Sequence, residues 1–179
     1  MNGRPDRDQR VEQSQQVRLP LLDRLIDDSP DAPREAPLSE IDALNRLRRS
    51  VRRDLEALLN ARRRWRSWPD AYRELAASPV GYGLADFTAG AFNEAGQREH
   101  LRAQIEQTIR RFEPRLDRVR VVLVDAENNT LDTTLRLRIE ALLRVEPGPE
   151  PIAFDTLIDA GTAEVQIKSG STAGIASNG

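Results

Sequence analysis

The sequence predicts an α+β domain: two long amphipathic helices and a short one, packed on one face of a four-stranded, mainly antiparallel sheet. Two changes of period carry that expectation. Apolar residues recur every three or four positions through the first two thirds of the chain and every second position thereafter. Proline and glycine clusters fall between the periodic runs rather than inside them.

Residues 1–16 (MNGRPDRDQRVEQSQQ) are polar and read as a disordered tail. Residues 17–28 hold a short apolar island, Val17, Leu19, Leu21, Leu22, Leu25 and Ile26, too small to make its own core and expected to dock on the domain or on a partner. Residues 29–37 (SPDAPREAP) carry three prolines and form a linker. The folded domain is expected over 38–168. Ser39 is an N-cap candidate, with Glu40 and Asp42 placed where the helix dipole favours acids. Ile41, Leu44, Leu47, Val51, Leu55, Leu58 and Leu59 then draw one stripe along a helix of about twenty residues. Pro69 stops it, Asp70–Ala77 suit a short helix, and Gly81 and Gly83 mark a turn.

A second long helix is expected from Glu94 to Phe112, with Leu101, Ile105, Ile109 and Phe112 on one side. Val119, Val121 and Leu123 alternate as a strand, and Asn128-Asn129 signal a turn. In the returning strand, Leu135, Leu137, Ile139, Ala141, Leu143 and Val145 oppose Arg136, Arg138, Glu140 and Arg144, giving a sheet with one dry and one charged face. After EPGPEP, two short strands (153–158 and 164–167) meet at Ala160-Gly161, and residues 169–179 read as a second disordered tail.

Composition narrows the function. Among 179 residues, 31% are charged, yet the net charge is only −2, which lacks the basic excess of a dedicated nucleic-acid binder. Lys168 is the sole lysine; arginine suits carboxylates at interfaces, though GC-rich coding yields the same usage. There is no cysteine, no nucleotide loop and no metal-ligand spacing, so neither a cofactor nor a metal is implied. Without a secretory signal or an apolar run near the roughly 20 residues that span a bilayer, a soluble cytoplasmic protein is expected.

Glu113/Asp117 and Glu94/Glu99 are the candidate carboxylate pairs for glycoside hydrolysis. Arg111, Arg115 and Arg118 surround Glu113 and oppose the raised pKa of a general acid, so no enzyme is expected. His100, the only histidine, reads as a solvated helix residue. The basic-aromatic stretch Arg62–Trp68 supplies the nucleic-acid alternative, against its plainer reading as a solvated helix end.

The run Glu113-Pro114-Arg115 is the most specific feature. Proline disfavours helix at the preceding residue, so the helix should end near Phe112 or Glu113. In an extended segment, residues two apart share a side, so Glu113 and Arg115 are expected to present an acid and a base together. Such a pair suits a charge-assisted grip on another chain; an internal salt bridge closing the helix is the alternative. The sheet's last hairpin is likewise expected to leave an edge open to an incoming strand, or else capped.

Four segments together carry a family resemblance: Leu21–Leu25 (LLDRL), Arg53–Arg62 (RDLEALLNAR), Ser78–Asp86 (SPVGYGLAD) and Phe112–Leu116 (FEPRL). Across residues 19–168 the chain resembles the TssE family, the type VI secretion branch of the phage-tail baseplate wedge proteins. Pro79 is a departure from the family's pattern, and it stiffens the approach to the Gly81 turn. The resemblance implies a structural subunit of the baseplate wedge, bound to TssF, TssG and TssK. It implies a role in seeding the contractile TssB–TssC sheath, and a place at the inner face of the cell envelope once assembled. It assigns wedge contacts to Glu113, Pro114 and Arg115. A phage tail or related contractile particle would use the same part.

Overall fold

Ser39 opens the first long helix by accepting a hydrogen bond from the Asp42 amide at 3.1 Å. The structure, a computed structural model, describes residues 19–25, 39–63, 68–85, 87, 94–124 and 134–172. The expected tail 1–16, residues 17–18 and 26–28 of the docking segment, the linker 29–37, Arg64–Ser67, Asp86, the Asn128-Asn129 turn and residues 173–179 lie outside them.

In chain order come α1 (Leu21–Leu25), α2 (Glu40–Asn60), β1 (Arg62–Arg63), β2 (Leu84–Ala85), α3 (Ala95–Phe112), β3 (Leu116–Leu123), β4 (Thr134–Leu143), β5 (Glu150–Asp159) and β6 (Val165–Ser169). The last four strands form an antiparallel sheet in the order β3-β4-β5-β6. This is the α+β fold that the sequence predicts. Leu47, Val51, Leu55 and Leu59 of α2 and Leu101, Ile105 and Ile109 of α3 bury themselves on the dry face of the sheet. Leu137, Ile139, Leu143, Phe154, Ile158 and Ile167 meet them from the strands. Ile41, first residue of the expected α2 stripe, is exposed instead, whereas Ala43 of the same turn is buried.

Four differences from expectation have local causes. Asp70–Ala77 and Pro79–Gly81 are 3₁₀ turns, the first kinked at Tyr72, and Ser78 caps the second through the Val80 amide, with Pro79 at its first position. Pro79 therefore starts a turn for which its fixed φ is suited. Arg62 and Arg63 do not prolong a helix: they pair in parallel with Leu84 and Ala85. Gly83 permits this close approach, since at φ +94° any Cβ would be driven into the Ala61 carbonyl. β3 begins at Leu116 and bulges between Asp117 and Arg120, where Arg118 takes a positive φ. Ser169 belongs to β6, and Gly170 bonds the Ala153 carbonyl at 2.9 Å, so the second tail begins later than its composition suggests.

Both outer strands are closed by side chains from the helices. On β6, the Asn60 amide accepts from the Val165 N–H at 2.9 Å and donates to its carbonyl at 2.8 Å, copying a neighbouring strand. Arg52 donates to the Ile167 carbonyl at 3.3 Å. On β3, Glu106 accepts from the Val121 N–H at 3.1 Å while Arg102 donates to its carbonyl at 3.0 Å. Arg110 reaches the Val119 carbonyl at 2.7 Å. Of the two expectations for the hairpin edge, open or capped, the second holds at Val165 and Ile167, where α2 side chains reach it.

Removing the Asn60 cap tests this arrangement. Asn60→Ala should lower stability by about 1 kcal/mol, as the Val165 groups lose their partner, and should introduce concentration-dependent self-association through the bared edge, seen by light scattering. At the β5–β6 turn, amide bonds from Thr162 and Gly161 hold the Asp159 carboxyl below its ordinary pKa. The turn's contribution is therefore complete above the ordinary aspartate pKa and disappears as pH falls through the lowered folded value. Protection of the Gly161 and Thr162 amides, taken relative to intrinsic exchange at each pH, should fall in that acid window and not above it.

Candidate functional site

The helix α3 ends where the proline requires, and Glu113 is its C-cap, with the Glu113 N–H bonded to the Ile109 carbonyl at 2.9 Å. Pro114 and Arg115 then form a tight turn rather than an extended segment, closed by the Leu116 N–H on the Glu113 carbonyl at 3.1 Å. The expectation of an outward acid–base pair changes accordingly. Glu113 is only 4% exposed, and the turn folds Arg115 back over it.

The Arg115 guanidinium grips Glu113 as a fork. Nε donates to Oε1 at 2.6 Å, and a terminal nitrogen donates to Oε2. The Arg115 amide adds a third bond to Oε1 at 3.2 Å. The same guanidinium crosses to α2, donating to Asp54 Oδ2 at 2.7 Å and to Ser50 Oγ at 3.3 Å. A carboxylate this deeply buried needs paired, directed donors, and the planar fork supplies them. Burial works against the charge on Arg115, yet its bonds to Glu113 and Asp54 outweigh that and raise its pKa above the ordinary value. The arginine side chain remains 24% exposed, so one side of the network faces solvent.

The network continues along α2. Arg53 donates to Asp54 Oδ1 and to Asp23 Oδ1, each at 3.1 Å, and to Ser50 at 3.3 Å. Asp23 lies in α1, where its backbone carbonyl also accepts from Arg46 at 3.1 Å. Just after the second 3₁₀ turn, Tyr82 sets its ring edge-on to Phe112 at 5.3 Å. Burial, then the charges of Asp54 and Glu113, raise the Tyr82 hydroxyl pKa. The four segments that carry the sequence resemblance thus converge on one place: Asp23 from the first, Arg53 and Asp54 from the second, Tyr82 from the third, and Phe112, Glu113 and Arg115 from the fourth.

Ser50 lies outside the four segments, and Asp54 and Asp23 lie inside them without a role that the sequence assigns. The spacing of Ser50 and Asp54 places them on one helix face, but their partner is 61 residues away from Asp54. Other candidates have plainer surroundings. Asp117 stands 3.7 Å from Arg144, Glu94 bonds Gln97, and Glu99 bonds Arg102. His100 is exposed, beside Gln104. Within the basic-aromatic stretch, Arg62 stacks over Phe87 at 5.0 Å and Arg63 over Trp68 at 5.3 Å, inside their own chain. Among the described residues no His/Asp/Glu group suits a metal ion, and no helix is long and apolar enough to cross a membrane.

A helix-backed sheet with closed outer strands and an ion network at its helix–strand junction is the architecture of a packed structural module. The family model for Baseplate wedge protein gp25 matches residues 45–148, from α2 through β4, and the chain belongs to that family. It is the family that includes TssE. Its members are structural baseplate proteins, and membership implies interaction with other baseplate proteins. No curated protein matches the chain.

Truncating the fork should reveal how much Glu113 depends on it. Arg115→Ala leaves a buried carboxylate without its main partner and should cost about 3 kcal/mol, toward the low end for such pairs because Arg115 itself is part-exposed. Arg115→Lys keeps the charge and loses the fork, so an intermediate loss is expected in denaturant titrations.

Proposed function

We propose that this protein is a structural subunit of the type VI secretion baseplate wedge, binding TssF, TssG and TssK and helping to seed the TssB–TssC sheath. The observation that carries the reading is the Glu113-Pro114-Arg115 turn, which lies inside the family match and draws all four resemblance segments to one site. In this reading the three residues serve wedge contacts through the solvent-facing side of Arg115 and the shape the network imposes around it. The protein works in the cytoplasm, at the inner face of the cell envelope once the machine is assembled, and carries no catalytic role or cofactor.

Sheath seeding by strand pairing calls for an open stretch of edge. The β6 ladder starts at Phe154↔Ser169 and Gly170 bonds the Ala153 carbonyl, so Glu150–Ile152 of β5 extend beyond that pairing. A groove of about 480 Å³ borders that stretch, lined by Asn45, Arg48 and Arg49 of α2 and by Ile152, Phe154 and Ser169. Main-chain groups there suit an incoming strand better than the capped positions at Val165 and Ile167. The same part in a phage tail or related contractile particle is the second reading, favoured by the family description itself.

Co-expression with TssF and TssG separates the two. The full chain should co-elute with them as one complex, and cells lacking it should form no fluorescent TssB sheath until the wild-type gene is restored. Normal sheath assembly in its absence would count against the secretion reading.

A further inference from the structure

The helix α1 is packed inside out. In Leu21-Leu22-Asp23-Arg24-Leu25 the aspartate is the buried residue, 4% exposed, whereas Leu21, Leu22 and Leu25 stand 69%, 60% and 74% exposed. Apolar burial favours the reverse, since each leucine gains by leaving water and a carboxylate loses. The inversion is held by specific bonds. Arg53 donates to Asp23 Oδ1, Arg46 donates to the Asp23 carbonyl, and Leu19 packs against the core just before the helix. It also has a cost, for the second carboxylate oxygen, Oδ2, is buried with no hydrogen-bond partner. A segment fixed by its polar residue, with its leucines turned out, is built to present them.

Resting on the wedge reading above, we infer that Leu21, Leu22 and Leu25 form an anchor that enters an apolar groove between helices of another baseplate subunit. Leu22 and Leu21 stand three and four positions before Leu25, the steps at which one helical face supplies the contacts in helix-in-groove recognition. Area selects the occupant. The three leucines offer on the order of a few hundred Å² of apolar surface, whereas a stable pair of identical chains needs about 800 Å² from each partner. The ridge is therefore one anchor within a larger contact made with a different protein. The Glu113–Arg115 fork has a further task in this arrangement. Through Asp54 and Arg53 it reaches Asp23, so the motif positions α1 in addition to any contact it makes directly.

The test uses the full chain, titrated against co-purified TssF and TssG, with a thermal melt of each variant. Leu21→Gln/Leu25→Gln should melt as wild type does and bind at least ~30-fold more weakly, with little dependence on salt. Arg53→Ala, which leaves the leucines intact, should weaken binding ~10-fold by freeing α1. In hydrogen exchange, residues 21–25 of the wild type should become protected in the complex. A leucine variant that binds within twofold of wild type overturns the inference while leaving the wedge reading standing. A variant that melts markedly lower also overturns it, because the leucines would then be covered by the chain's own flanking segments. So does a wild-type dimer that the variant converts to monomer, which would make the occupant a second copy. Failure of the wild type to bind either protein defeats the wedge reading itself, and the inference with it.

Discussion

The buried carboxylate of Glu113 is the constraint from which the rest of the site follows. An ionised group cannot remain in a protein interior without donors aimed at it, and here three come from one residue two positions along the chain. That is possible because Pro114 ends α3 and turns the chain sharply, so that the Arg115 fork folds back. One terminal nitrogen is shared between Glu113 and Asp54 and the other donates to Ser50, so the same guanidinium fastens the end of α3 to the middle of α2. The two long helices share few other direct links, since each packs chiefly on the sheet. One motif thereby closes the helix, starts β3 and sets the register of the helical layer.

Edge closure follows a related logic. A four-stranded sheet has two outer strands whose unpaired groups invite uncontrolled pairing. The chain answers with polar residues on the flanks of its two amphipathic helices, at the boundary where the apolar stripe gives way to the solvent face. Asn60 and Arg52 serve β6, and Arg102, Glu106 and Arg110 serve β3. The charged face of α2 is for this reason more than a solubilising surface. For a component of a large assembly, closing outer strands in this way limits uncontrolled strand pairing.

Much of this was legible in the residues. Periods of 3.6 and 2 place the long helices and the strands because burial on one face imposes them locally. The Ser39 cap, the halt at Phe112 and the Gly81 and Gly83 turn rest on short-range stereochemistry. Less legible were the 3₁₀ character of Asp70–Gly81 and the two-residue pairing of Arg62–Arg63 with Leu84–Ala85, since neither leaves a period to read. Nor does composition reveal that Gly170 and Ser171 are held against the sheet by Ala153 and Arg138.

By itself, the sequence determined the two long helices and the four strands of the main sheet, the face most of them would bury, and the residues that carry the family pattern, because these depend on neighbours within a few positions. Only the tertiary structure decided what those residues do. Whether Glu113 and Arg115 point outward or inward turns on Asp54 and Ser50, which lie more than 50 residues away. Whether Leu21, Leu22 and Leu25 join the core or face solvent turns on Arg53 claiming Asp23. Charges find partners through space, and a chain in which nearly every third residue is ionised offers too many candidate pairs for sequence order to choose among them.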